Sequence, residues 1–204
     1  LSKSLIQAVE NASSSEALVK AVWALSNSQS EEAIPTLIKV LGFNNPGAAV
    51  AAVEGLVKLG DVAVPTLIAQ LDGYDYGARA WAIRALSRIA NPEALEILLD
   101  AAANDFSLSV RRAAAKGLGE LRWEKLSPEA REEAQQKALE TLMTVAKDEE
   151  WIVRYAAIVG LEALAKTVFA TEIQAYLQQR EQAEPDLTAR SRIRLAVGAN
   201  GDSN

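Results

Sequence analysis

Apolar residues recur along this chain at i, i+3, i+4 and i+7, the spacing of a helix with one buried stripe. Four such quartets follow one another: Ile34/Leu37/Ile38/Leu41, Val64/Leu67/Ile68/Leu71, Leu95/Leu98/Leu99/Ala102 and Leu139/Leu142/Met143/Ala146. A weaker fifth runs Ile173/Tyr176/Leu177. Each predicts an amphipathic helix. A second helix is expected after each first one, marked by Leu25, Leu56, Leu86, Leu118, Leu161 and Leu195 at spacings of 31, 30, 32, 43 and 34. Between the stripes stand breakers: Asn44-Asn45-Pro46-Gly47, Gly73-Tyr74-Asp75-Tyr76-Gly77 and Asn91-Pro92. The text itself repeats, since the run ending Ala33-Ile34-Pro35-Thr36-Leu37-Ile38 returns as Ala63-Val64-Pro65-Thr66-Leu67-Ile68, 30 residues on.

Helix pairs recurring every 30 or so residues specify an all-α fold, an α-α superhelix or α-solenoid of about six pairs. One repeat domain is expected over residues 1–204: an N-terminal pair at about 5–29, repeats over about 31–123, an extended pair at 127–166 and a last pair at about 169–198. The long spacing of 43 has a local cause. Ser127 reads as an N-cap and Pro128 as a first-turn proline, and nothing breaks the helix from there to Lys147. A coiled coil would need an unbroken heptad run, which the Pro/Gly turns forbid. The second helices are expected on the concave face, where Ala-rich runs such as Ala113-Ala114-Ala115 permit close approach.

Composition agrees and excludes a good deal. Of 204 residues 38 are Ala and 25 are Leu, and both head the helix scale. His and Cys are absent. There is therefore no zinc, haem or iron–sulfur ligand set, no thiol nucleophile and no imidazole-based triad. Chemistry must run on carboxylates, hydroxyls, Tyr, Lys or Arg, or on groups that a partner or ligand brings. The net charge of −6 argues against nucleic-acid binding. No apolar run approaches a membrane span, so no membrane insertion and a cytoplasmic setting are expected. Charge is uneven: residues 76–123 carry 7 basic against 5 acidic side chains, a +2 centre between two −4 flanks.

Two features carry candidate chemistry. Arg79, Arg111 and Arg154 share one register, seven residues before a marker leucine. For Arg111 and Arg154 the plainer reading is structural, tying adjacent pairs through a carboxylate or a helix C-terminus. Asp105 and Asp148, each six residues before its Arg, read as N-caps of the same helices. Arg79 sits in different surroundings. The chain has only eleven aromatics, yet Tyr74, Tyr76 and Trp81 fall within eight residues, interleaved with Asp75, Arg79 and Arg84. Aromatics stack on a flat conjugated ligand, arginines fork to its carboxylates, and a carboxylate holds N–H groups of pyrrole type. The competing reading is a core Trp with two loop tyrosines.

These residues point to a family. Residues 34–123 resemble the smaller of the two chains that make up the heterodimeric E/F-type phycobilin lyases of cyanobacteria. The likeness rests on Asn44-Asn45-Pro46-Gly47, on Gly73-Tyr74-Asp75-Tyr76-Gly77-Ala78-Arg79-Ala80-Trp81, and on Asp105-Phe106-Ser107-Leu108-Ser109-Val110-Arg111-Arg112. The repeat resembles the HEAT-like repeat of phycobilisome lyases; the tyrosine-rich turn is the more specific part. The resemblance implies a lyase that joins phycocyanobilin, as substrate and not as a tightly bound cofactor, to a cysteine of the phycocyanin α-subunit through a thioether. It implies a heterodimer with a homologous larger subunit. Together with the chemistry of the cluster, this gives an expected site in which Asp75 is catalytic, with Tyr74, Tyr76, Arg79, Trp81, Arg84, Arg111 and Arg112 on the bilin, and no metal. Two alternatives stay open: a bilin-binding chaperone or detaching protein of the same repeat family, and a non-enzymatic protein-binding scaffold.

Overall fold

A computed structural model describes residues 2–71, 76–167 and 169–201. Among them the regular structure is twelve α-helices joined by short 3-10 turns. They gather into two compact units, residues 1–89 and 90–204. The first holds α1 (Ser2–Glu10), α2 (Ser15–Asn27), α3 (Ile34–Leu41), α4 (Pro46–Leu59), α5 (Val64–Ala69) and α6 (Tyr76–Ile89). The second holds α7 (Leu95–Asn104), α8 (Leu108–Gly119), α9 (Pro128–Val145), α10 (Trp151–Leu164), α11 (Ala170–Ala183) and α12 (Leu187–Gly201). These are the six helix pairs that the periodicity predicts.

The stripes form the core. Ile34, Leu37, Ile38 and Leu41 are buried, as are Leu95, Leu98 and Ala102, and Leu139, Leu142 and Ala146. The marker leucines Leu25, Leu56, Leu86, Leu118 and Leu161 are fully enclosed. The sixth marker needs correction, because Leu195 is 63% exposed. The buried positions of α12 are Ala189, Ile193 and Ala196, so Val197 holds the register and the last spacing is 36. A leucine on an outward face outscored a valine on the inward one. Helix α5 is also shorter than its stripe, stopping at Ala69, with Leu71 buried in the turn beyond.

Helix starts follow from caps. Ser14 accepts from the Ala17 N–H at 3.1 Å and Asn45 from the Ala48 N–H at 3.0 Å, and Pro46 then opens α4. Ser127 accepts from the Ala130 N–H at 3.3 Å, and the helix behind Pro128 runs 18 residues, the expected extended element.

Second helices pack on second helices in each unit: α4 between α2 and α6, and α10 between α8 and α12. Small residues bring these backbones together. A Cβ added to Gly119 would lie 2.0 Å from the Gly160 carbonyl oxygen, and one on Gly160 would lie 2.5 Å from that of Ala115. In the first unit a Cβ on Gly55 would meet the Ser26 hydroxyl at 2.5 Å. That hydroxyl is buried and donates to the Ala51 carbonyl at 2.7 Å, so the α2–α4 contact also satisfies this polar group.

Candidate functional site

The first unit carries the aromatic cluster of the sequence. Tyr74 and Asp75 lie outside the described residues. Tyr76 opens α6 and is 63% exposed, with Arg79 half-buried one turn later. Trp81 and Arg84, three apart, share a face of α6, and the Arg84 guanidinium carbon stands 4.6 Å from the Trp81 ring centroid. This is a cation–π contact. One turn further, Arg88 forks Glu54 on α4, with Nη1–Oε1 at 2.5 Å and Nη2–Oε2 at 3.0 Å. The hydrogen bond from Arg88 holds the Glu54 carboxyl below its ordinary range; partial burial opposes it, and the charges of Arg88 and Lys58 support it. Trp81, Arg84 and Arg88 thus form an i, i+3, i+7 row anchored to the neighbouring helix. The sequence reading missed the Arg88–Glu54 anchor, which joins residues 34 apart and leaves no local signal.

Arg111 and Arg112 belong to the second unit. Arg112 is exposed. Arg111 is engaged: its Nε donates to Asp148 Oδ2 at 3.0 Å and its Nη1 to the Asp105 and Phe106 carbonyls at 2.8 and 3.3 Å. Arg154 repeats the scheme. Its Nη1 donates to the Asp148 and Glu149 carbonyls at 2.9 Å, and its Nε and Nη2 reach Glu184, the shortest contact being 2.7 Å. The tying role read for this register is what these two arginines perform. The capping role read for Asp105 and Asp148 is corrected. The caps are Ser107 and Glu150, while the two aspartates accept from the N–H two residues on, at 2.9 Å each. An Asx turn needs its carboxylate ahead of the cap, and the other carboxylate surface of Asp148 then meets Arg111.

Glu184 is the third rung. Buried completely, it accepts from Arg154, from Arg180 at 3.1 Å and from its own Asp186 N–H at 3.0 Å, while its carbonyl takes Arg190 Nε at 2.9 Å. Burial alone would push this carboxyl up. The hydrogen bonds from Arg154 and the Asp186 N–H, with the charges of Arg154 and Arg180, outweigh that and hold it below the ordinary range. The signal was present, since Glu184 precedes Arg190 by six, as Asp105 precedes Arg111 and Asp148 precedes Arg154. It was hidden by the change from Asp to Glu and by the misassigned register of α12. Beside the first rung opens a cleft of about 300 Å³, lined by Ala103, Arg111, Thr144, Val145, Lys147 and Glu149, with Asp148.

Among the described residues no cluster of carboxylates is placed to hold a metal ion, and no helix is long and apolar enough to cross a membrane.

Comparisons with known proteins bear on this arrangement. The HEAT-repeat profile matches residues 2–72 and 64–133. The chain is 52% identical over 191 residues to the phycocyanin alpha phycocyanobilin lyase CpcF of Synechocystis sp. strain PCC 6803, covering 93% of this chain and 89% of that protein. It is 50% identical to the phycocyanobilin lyase subunit beta of Nostoc sp. strain PCC 7120, over 96% of this chain and 98% of that one. The solved complex of CpcE and CpcF of phycocyanin lyase from Nostoc sp. PCC7120 aligns with a TM-score of 0.79 at 52% identity, over 82% of this chain and 99% of the matched one. Helix pairs of HEAT type and identity of this extent agree: the chain belongs to the CpcF family of HEAT-repeat phycocyanobilin lyase subunits.

Proposed function

We propose that this chain is the smaller subunit of a heterodimeric lyase that joins phycocyanobilin to a cysteine of the phycocyanin α-subunit, working with a homologous larger subunit. The observation that carries this reading is the identity of 50–52% across nearly the whole of relatives named as lyase subunits. The chemistry fits a chain without Cys or His. The acceptor thiol adds across the ethylidene double bond of the bilin. Sulfur bonds to one carbon, the thiol proton ends on the neighbouring one, and nothing is oxidised or released. The protein must hold the bilin extended, polarise it and deliver the thiol to it. No tightly bound cofactor is required, and a cytoplasmic setting keeps the acceptor cysteine reduced.

We assign the pigment to the start of α6. Tyr74, Tyr76 and Trp81 stack on the conjugated rings, and Arg79 and Arg84 take the propionates, Arg84 pre-oriented by its stack on Trp81. Asp75 is the acid of this turn. Ionised, it holds the pyrrole N–H groups of a protonated bilin and keeps the conjugated system electron-poor. Arg112, exposed in the second unit, is left outside this assignment. Arg111 is given the tying role, because its donors already serve Asp148 and two carbonyls.

The test is reconstitution with the larger subunit, phycocyanobilin and the α-subunit. Asp75→Asn should retain pigment absorbance yet form little acid-stable, covalently attached bilin, whereas Arg84→Ala should lose pigment. The sequence also allows Asp75 to be a helix cap, and Asn caps almost as well as Asp. Wild-type attachment by the Asn variant would therefore end the catalytic assignment.

A further inference from the structure

The ladder in the second unit does more than tie repeats together. Leu108, Trp151 and Leu187 each stand three residues ahead of a ladder arginine, Arg111, Arg154 and Arg190. All three open a second helix, and they are 40%, 41% and 73% exposed. Phe106, in the turn before α8, is 70% exposed. Because α10 packs against both α8 and α12, these first turns lie side by side, in a row of about 20 Å at ordinary interaxial distances. The 300 Å³ cleft adjoins the row through Arg111 and Glu149, with Ala103 and Val145 also in its lining. Single exposed apolar residues need no explanation, but four large ones at one end of three successive repeats, beside a cleft, do.

The surrounding chemistry restricts the occupant. The cleft is at the small end of ligand pockets, and of its two cations Arg111 already serves Asp148 and two carbonyls, which leaves Lys147 alone for a bilin with two propionates. Exposed Glu149 and Glu150 adjoin Trp151, and half-buried Asp186 adjoins Leu187. Apolar anchors separated by carboxylates make a polar, divided footprint, the kind used by partners that dock and leave. A permanent subunit interface has a more continuous apolar core. The turns are also fixed by buried ion pairs, so presenting the anchors costs little ordering on binding.

We infer that this edge of the second unit, from Phe106 through Trp151 to Leu187, is where the acceptor protein docks, the acceptor presenting apolar side chains flanked by basic ones. The assignment rests on the lyase reading above, since it names the protein substrate's footprint. The test uses the reconstituted heterodimer and apo phycocyanin α-subunit. Two variants probe the row: Phe106→Ser with Leu187→Ser, and Glu149→Lys with Glu150→Lys. Both should weaken direct binding of the acceptor about tenfold, the loss of one or two modest anchors. Each should raise the KM for acceptor to match, while the bilin absorbance of the complex stays that of the wild type. Leu195→Ser, similarly exposed but two turns further along α12, should move neither quantity. Unchanged acceptor binding in both variants would overturn the docking assignment, and so would loss of heterodimer formation, which would give the row to the larger subunit. Binding is read apart from turnover. A wild-type complex that grips the acceptor at this edge but transfers no pigment would count against the lyase reading and in favour of the footprint.

Discussion

Glu184 has no access to solvent, and its carboxylate accepts from two arginines while its carbonyl accepts from a third. Removing one partner of such a pair leaves the other charge buried and uncompensated, which costs about 3–5 kcal/mol. Glu184→Ala should therefore lower the unfolding free energy by about that amount, measured in urea. Its pH dependence has a definite sign. The folded carboxyl is held below its unfolded value, so its contribution is complete above the ordinary carboxylate range of about 4.3 and is lost as pH falls through the folded value. Wild-type Tm should drop more steeply below about pH 5 than that of Glu184→Gln, and the two curves should run parallel above it. Equal slopes on the acid side would show that the ladder carries no linkage. Trp81 poses a different question at the same scale. It is half-buried and stacked on Arg84, so Trp81→Ala should weaken pigment binding while helicity by circular dichroism stays near wild type. A variant that instead melts would return Trp81 to the core and remove the stacking wall.

At the scale of elements, one register of the second helix gives opposite expectations in two places. Gly119 on α8 admits the backbone of α10, and a Cβ there would enter the Gly160 carbonyl. Gly198 occupies the matching position of α12, where a Cβ meets nothing within 4 Å. Gly119→Ala should destabilise by about 1–3 kcal/mol through overpacking. Gly198→Ala should stabilise by up to about 1 kcal/mol through helix propensity alone. Denaturation midpoints of the two variants check both signs at once. The comparison also explains how far the fold could be read from the sequence. Stripes and caps are local, so six pairs and the extended α9 were legible. The register of α12 was not, because Leu195 faces outward and a hydropathy pattern does not say which of two apolar residues is covered. Of the site, the Trp81–Arg84 face followed from a spacing of three. The Arg88–Glu54 anchor, the Glu184 rung and the cleft depend on which repeat lies beside which, and spacing along one helix does not reveal that.

For the whole molecule the deciding fact is what the chain lacks. It has no Cys or His, so the nucleophile of a thioether-forming reaction must come from the acceptor and the electrophile from the bilin. What this chain contributes is surface. Apolar surface is plentiful: Trp23, Phe43, Val50 and Val62 are 37–47% exposed in the first unit, and Leu5 and Ile6 of α1 are only half-buried. Exposure on this scale calls for a partner, and the CpcE–CpcF complex shows that a relative at 52% identity has one. Coupling follows from mass action, because whatever binds the folded chain alone stabilises it in proportion to the logarithm of partner concentration. Mixed with the larger subunit, the chain should form a 1:1 complex by light scattering, and its Tm should rise with the concentration of that subunit. By itself it should attach little pigment to the α-subunit. Full turnover by the isolated chain, with no gain on adding the larger subunit, would mean that the exposed surface serves something other than heterodimer formation.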